Sequence, residues 1–189
     1  MVKLKKEVLI HLDGDRTSDA KQPHYDSNDR LGLHGLGNLI KSGKDLIVRQ
    51  CFDERYRVDD EYGDEILLSV TIPFDLEKIQ KVYEFVENLK HEYFKLVGYT
   101  ISAGIGDSLT DSKLGLLKAK ERLSTDYNLK LSKGLIEEKI SSTEFGPSLK
   151  YFYLALKDFE EGRVPEDIGP VLIYFYSILK HGNTNKEDA

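Results

Sequence analysis

Three acidic positions have the residue types and surroundings to hold a divalent cation. Asp13 directly follows the apolar run from Val8 to Leu12 and opens the sequence Asp13-Gly14-Asp15. An acid at the end of a buried strand sits at the rim of a sheet, where turn carbonyls also point outward. A hard cation such as magnesium takes oxygen ligands and shares them with substrate phosphates. Taken by itself, Asp-Gly is also a common turn pair. Asp64 and Glu65 stand side by side in Tyr62-Gly63-Asp64-Glu65, immediately before the apolar run from Ile66 to Ile72. Adjacent carboxylates repel one another, which a solvated turn tolerates and a metal makes favourable. Gly63 keeps the backbone slim where a ligand would approach. A third element combines small and basic residues. Thr100 to Gly106 reads TISAGIG, and a segment with Lys113, Lys118 and Lys120 follows it. Lysines there can reach phosphate oxygens as point charges, although Lys113 and Lys118 read better as a solvated helix face.

The elements that must position these residues follow from periodicity. Val8 to Leu12 is a buried strand, and residues 14–30 are a polar loop. Leu31 to Phe52 has helical spacing, with a break expected near Gly43. The acidic stretch from Asp59 to Glu65 is expected at the tip of a β-hairpin made by residues 55–58 and the strand from Ile66 to Ile72. Asp75 is placed to cap a helix running to about His91, and a strand is expected from Phe94 to Ile105. Thr110 is expected to cap a helix to Ser124. A last strand is expected from Ile136 to Ile140, and helical stretches from Leu149 to Phe159 and from Val171 to Leu179. This order is α+β in character, a mainly antiparallel sheet with helices on one face and a C-terminal helical appendage.

The segments IHLDGD (Ile10 to Asp15), EYGDEILL (Glu61 to Leu68) and the run from Thr100 to Leu123 form a recognisable set. In them the chain resembles the nucleotidyl-cyclase and palm-polymerase superfamily. That group includes diguanylate cyclases with a GGDEF hairpin, class III cyclases and the polymerase-like large subunit of type III CRISPR complexes. By size and by its DGD and GDE forms, the chain is most similar to the stand-alone minimal CRISPR polymerases. The resemblance covers residues 7–128 and implies a ferredoxin-like palm. It implies a catalytic domain over residues 1–130, with a strand and helical extension over residues 131–189 packed on it. It further implies that Asp13, Asp64 and Glu65 are catalytic and bind Mg2+ or Mn2+. Gly14, Asp15, Tyr62, Gly63 and Lys120 would then contact nucleotide, with Lys120 on the triphosphate. The implied activity is metal-dependent conversion of a nucleoside triphosphate to a cyclic mono-, di- or oligonucleotide with release of pyrophosphate. A homodimer with facing sites and a setting in antiviral defence are implied as well. Tyr62 replaces the first glycine of the family hairpin, which favours a second reading, a degenerate nucleotide-binding sensor or scaffold. A third is a hydrolase resembling GTP cyclohydrolase III. Asn28-Asp29 is reminiscent of the guanine-reading pair of diguanylate cyclases, at a different offset.

Bulk properties narrow the field. The chain has 189 residues, 40% of them hydrophobic and 32% charged, with a net charge of -6. An acidic chain of this kind argues against direct, non-specific DNA binding. No stretch reaches the roughly 20 apolar residues of a membrane helix. A single cysteine, Cys51, lies in an apolar run and reads as a buried packing residue in a reducing, cytoplasmic setting. His11, His24 and His34 are too scattered for a zinc set. The aromatic stripe of Tyr151, Phe152, Tyr153, Phe159, Tyr174, Phe175 and Tyr176 reads as packing or a dimer face.

Overall fold

Alternation along the first strand sets the architecture. In the computed structural model, which describes residues 5–15, 30–51, 55–73, 75–132 and 142–163, strand β1 spans Lys5–Gly14. Val8, Ile10 and Leu12 are fully buried on one face, while Leu9 and Asp13 on the other are part-exposed. The chain divides into two compact units, Met1–Leu149 and Lys150–Ala189.

The first unit runs β1, α1 (Arg30–Gln50), β2 (Tyr56–Tyr62), β3 (Glu65–Pro73), α2 (Leu76–Val97), β4 (Ile101–Gly106), α3 (Leu109–Ser132) and β5 (Thr143–Phe145). Helix α4 follows at Pro147–Glu160. The sheet order is β2-β3-β1-β4-β5. β1 is central and antiparallel to both β3 and β4. The six elements from β1 to β4 form a split βαβ with the ferredoxin-like strand order, so the α+β palm-type topology expected from the sequence is present. β5 adds to β4 in parallel, which makes the sheet mixed.

Helices α1 and α2 pack against one another over the Val8-Ile10-Leu12 face. Tyr56 pairs with Val70, on that same face, and its ring stacks on Phe85 of α2 at 3.9 Å. Helix α3 covers the opposite face, an addition to the single helical layer expected. The reason lies in β4, whose residues on that side are Ser102, Gly104 and Gly106. A Cβ on Gly104 would overlap the backbone of Leu116 and Ser112, and one on Gly106 that of Ser112. Glycine lets α3 lie directly on the strand.

Several boundaries differ from the sequence expectation for physical reasons. α1 runs unbroken through Gly43, where a side chain would collide with Tyr93 and Val97. The glycine serves close helix packing, not a break. α2 continues to Val97 because Tyr93 and Val97 extend its buried stripe of Ile79, Val82, Val86 and Leu89. It ends at left-handed Gly98, whose N–H donates to the Phe94 carbonyl at 2.8 Å, so the following strand starts at Ile101, not Phe94. Asp75 caps α2 as expected, accepting from the Lys78 N–H at 2.8 Å. α3 is capped by Ser108, which accepts from the Asp111 N–H, instead of by Thr110. The strand expected at 136–140, the helix at 171–179, Asn28-Asp29, His24 and residues 174–176 lie outside the described residues. No helix among the described residues is long and apolar enough to cross a membrane.

Candidate functional site

The end of β1 gathers the acidic residues. Asp13 pairs with Glu65 of β3 on one side and with Ser102 of β4 on the other. Directly paired residues face the same side of a sheet, so all three side chains lie in a row on the α3 face. Asp64 belongs to the two-residue turn between β2 and β3. Gly63 opens that turn at φ 58, the left-handed conformation a tight hairpin requires. The Gly14 N–H reaches the Asp64 carbonyl at 3.4 Å, and the Asp15 N–H donates to the Thr100 carbonyl at 2.9 Å. These bonds hold the chain just past the strand and turn Asp15 into the protein.

Lys120 arrives from α3. Ala119 is fully buried beside it, and the close seat of α3 on Gly104 and Gly106 brings the lysine over the end of β1. Its Nζ lies 3.0 Å from Asp13 Oδ2 and 3.0 Å from Asp15 Oδ1. It also donates to the Asp13 carbonyl at 3.1 Å and the Gly14 carbonyl at 2.7 Å.

Unsatisfied polar groups concentrate here. Among the described residues, the buried side-chain atoms with no hydrogen-bond partner are His11 Nδ1, both carboxylate oxygens of Asp15, and Ser102 Oγ. Lys120 is near Asp15 Oδ1 but not aligned for a hydrogen bond. His11 is two residues before Asp13, Asp15 two after, and Ser102 directly across the sheet. Buried polar groups are normally paired, so a cluster of this kind marks a candidate site. Burial raises the Asp13 carboxyl above its usual range; Lys120 opposes this, and the charges of Asp64 and Glu65 add to it. Burial first, and then the charges of Asp64, Asp15 and Asp13, push the Tyr93 phenol up to about 12.

The donor set suits a hard divalent cation: carboxylates of Asp13 and Asp15 and main-chain carbonyls of Asp13 and Gly14. Asp64 and Glu65 stand close enough for their charges to act on Asp13. Glu65 Oε2 lies 3.6 Å from His11 Nε2. Among the described residues, no three carboxylate, imidazole or thiolate side chains converge as a metal-holding group. On the opposite face, Lys44 of α1 is buried and pairs with Glu61 at 2.7 Å, bracing the hairpin just before Tyr62. A cavity of about 120 Å³ opens between the hairpin and the first turns of α3, lined by His11, Asp60, Glu65, Leu67, Leu109 and Lys113 among others.

Lys113 and Lys118 are exposed, as a solvated helix face should be. Cys51 is buried, and burial pushes its thiol up to about 11, consistent with a packing residue. His11 reads in the sequence as one of three scattered histidines, Ser102 as one small residue of a strand end, and Lys44 is not singled out there. A signal existed for the first two: a histidine inside the apolar run Val8-Leu9-Ile10-His11-Leu12, and a serine at an all-buried strand position. Lys44 carries none, since an amphipathic helix is full of lysines.

No family model matches this chain, and no curated protein matches it significantly. Among solved structures, it is similar to an EAL/GGDEF domain protein from M. capsulatus. The identity is 16%, the match covers 74% of this chain and 84% of that one, and the TM-score is 0.36.

Proposed function

We propose that this protein is a metal-dependent nucleotidyltransferase of the nucleotidyl-cyclase type, which uses the end of β1 to bind a nucleoside triphosphate with Mg2+ or Mn2+. The observation that carries this reading is the cluster around Asp13: every buried unpartnered side-chain polar atom among the described residues lies on a neighbour of Asp13, with a lysine placed over them. Asp13, Asp15, Asp64 and Glu65 would hold the metal, with the Asp13 and Gly14 carbonyls as further donors. Bound metal would neutralise charge on the phosphates and favour departure of pyrophosphate. The chain's own part is largely positioning and neutralisation. Gly63 and the Lys44–Glu61 pair fix the hairpin. Lys120 supplies positive charge for the triphosphate, and Ser102 offers a hydroxyl beside Asp13. The product would be a cyclic or linked nucleotide, and two facing copies would allow two triphosphates to meet.

The test is incubation of the purified protein with each labelled nucleoside triphosphate and Mg2+ or Mn2+, beside Asp64→Ala. Pyrophosphate together with a cyclic or linked product, absent from the variant, is expected. Release of inorganic phosphate or a ring-opened base would instead support a hydrolase. Nucleotide binding without turnover would support a sensor. No binding at all would overturn the reading.

A further inference from the structure

The Lys120 ammonium lies among four oxygens. Two belong to carboxylates, Asp13 Oδ2 and Asp15 Oδ1, each at 3.0 Å. Two are main-chain carbonyls, of Asp13 at 3.1 Å and of Gly14 at 2.7 Å. This is the ligand chemistry of a hard cation, at the longer spacing an ammonium needs. Asp15 gives the arrangement its weight. Its side chain is 2% exposed, and among the described residues neither oxygen accepts a hydrogen bond and Lys120 is the cation beside it. A buried carboxylate left with no cation would be costly, so one must stay near it.

We propose that Lys120 is the resident cation of the Asp13–Asp15 end of β1, and that a divalent metal and Lys120 compete for these oxygens. The inference rests on the functional reading above and adds an order of binding to it. An ammonium and a divalent ion cannot share four oxygens a few ångströms apart without strong repulsion. Lys120 must therefore swing away when metal enters. Having left two carboxylates and two carbonyls, it needs new acceptors, and triphosphate oxygens supply them. Metal alone faces the full competition; metal with nucleotide does not. The two ligands consequently strengthen one another's binding, by the same factor in each direction.

The test is equilibrium binding of Mn2+ alone, read from the paramagnetic signal of the free ion, to the wild type and to Lys120→Gln. The variant is expected to bind Mn2+ at least about tenfold more tightly, within the usual range of coupling between sites. Equal or weaker binding by a variant whose circular dichroism matches the wild type overturns the inference. Lys120→Met serves where the glutamine variant does not fold. A second measurement needs no variant: Mn2+ should raise the wild type's affinity for a fluorescent non-hydrolysable triphosphate analogue by about tenfold or more. An analogue that binds equally well without Mn2+ overturns the competition while leaving nucleotide binding intact. Failure of both Mn2+ and analogue to bind either protein overturns the functional reading as well.

Discussion

Two aspartates in this protein are buried to the same degree and treated in opposite ways. Asp111 is 5% exposed and Asp15 is 4% exposed. Asp111 accepts three backbone N–H groups, from Asp107 at 3.2 Å, Ser148 at 2.8 Å and Leu149 at 3.1 Å. It closes the turn before α3 and caps the first turn of α4, and Gly146 leaves room for it, since a Cβ there would strike its carboxylate. Among the described residues, Asp15 accepts none and has the Lys120 ammonium beside it. The first is structure: its charge is spread over donors the fold provides. The second is what the proposed site needs, a carboxylate from which the fold withholds donors, so that its lone pairs stay available. Burial alone does not tell the two apart; the count of satisfied oxygens does.

The comparison breaks most severely if α3, which carries Asp111 and Lys120, is lifted from the sheet. Gly104→Ala would drive a methyl into the backbone of Leu116, where neither helix nor strand can give way. A loss of about 3 kcal/mol or more is expected, at the upper end for overpacking, read from chemical denaturation. Asp111→Ala comes next. One buried N–H, of Leu149, and two part-buried ones, of Asp107 and Ser148, would lose their acceptor, at a cost of roughly 3 kcal/mol in all. Asp15→Asn should differ sharply. Lys120 keeps Asp13 and both carbonyls, and a buried charge is removed, so stability should change by less than about 1 kcal/mol. If Asp15→Asn destabilises the protein as much as Asp111→Ala does, the distinction between them is wrong. The smallest effect is chemical. With its thiol at about 11, Cys51 is almost wholly un-ionised at pH 8, and burial shields it as well. Iodoacetamide should leave the native protein unmodified and label it promptly in denaturant; rapid native labelling would contradict the packing role.

The topology was legible in the sequence because periodicity is local. The alternation of Val8, Ile10 and Leu12 and the helical stripe from Ile79 to Leu89 each show within one element. The approach of Asp13 to the hairpin was expected from the family resemblance and not from periodicity. What was not legible depended on partners distant in sequence. Gly43 looked like a helix breaker until Tyr93 and Val97 stood against it. Gly104 and Gly106 read as room for either a ligand or another backbone, and only the structure shows that they are room for the backbone of α3. Nothing in the sequence marks Asp111, whose donors on Ser148 and Leu149 lie 37 and 38 residues away. Asp15 gave no sign that its carboxylate would be buried without donors, because the Thr100 contact that turns it inward is 85 residues away (100 − 15).

The central claim is that the end of β1 binds a cation together with a nucleotide. The most direct measurement is thermal unfolding of the wild type, Asp13→Asn and Asp15→Asn, each with and without Mg2+ and a non-hydrolysable triphosphate analogue. A ligand present at a hundred times its Kd stabilises the native state by about 2.7 kcal/mol. The account predicts a shift of that order in the wild type when both ligands are present, and its loss in both variants. No shift in the wild type, or an equal shift in all three proteins, would contradict it.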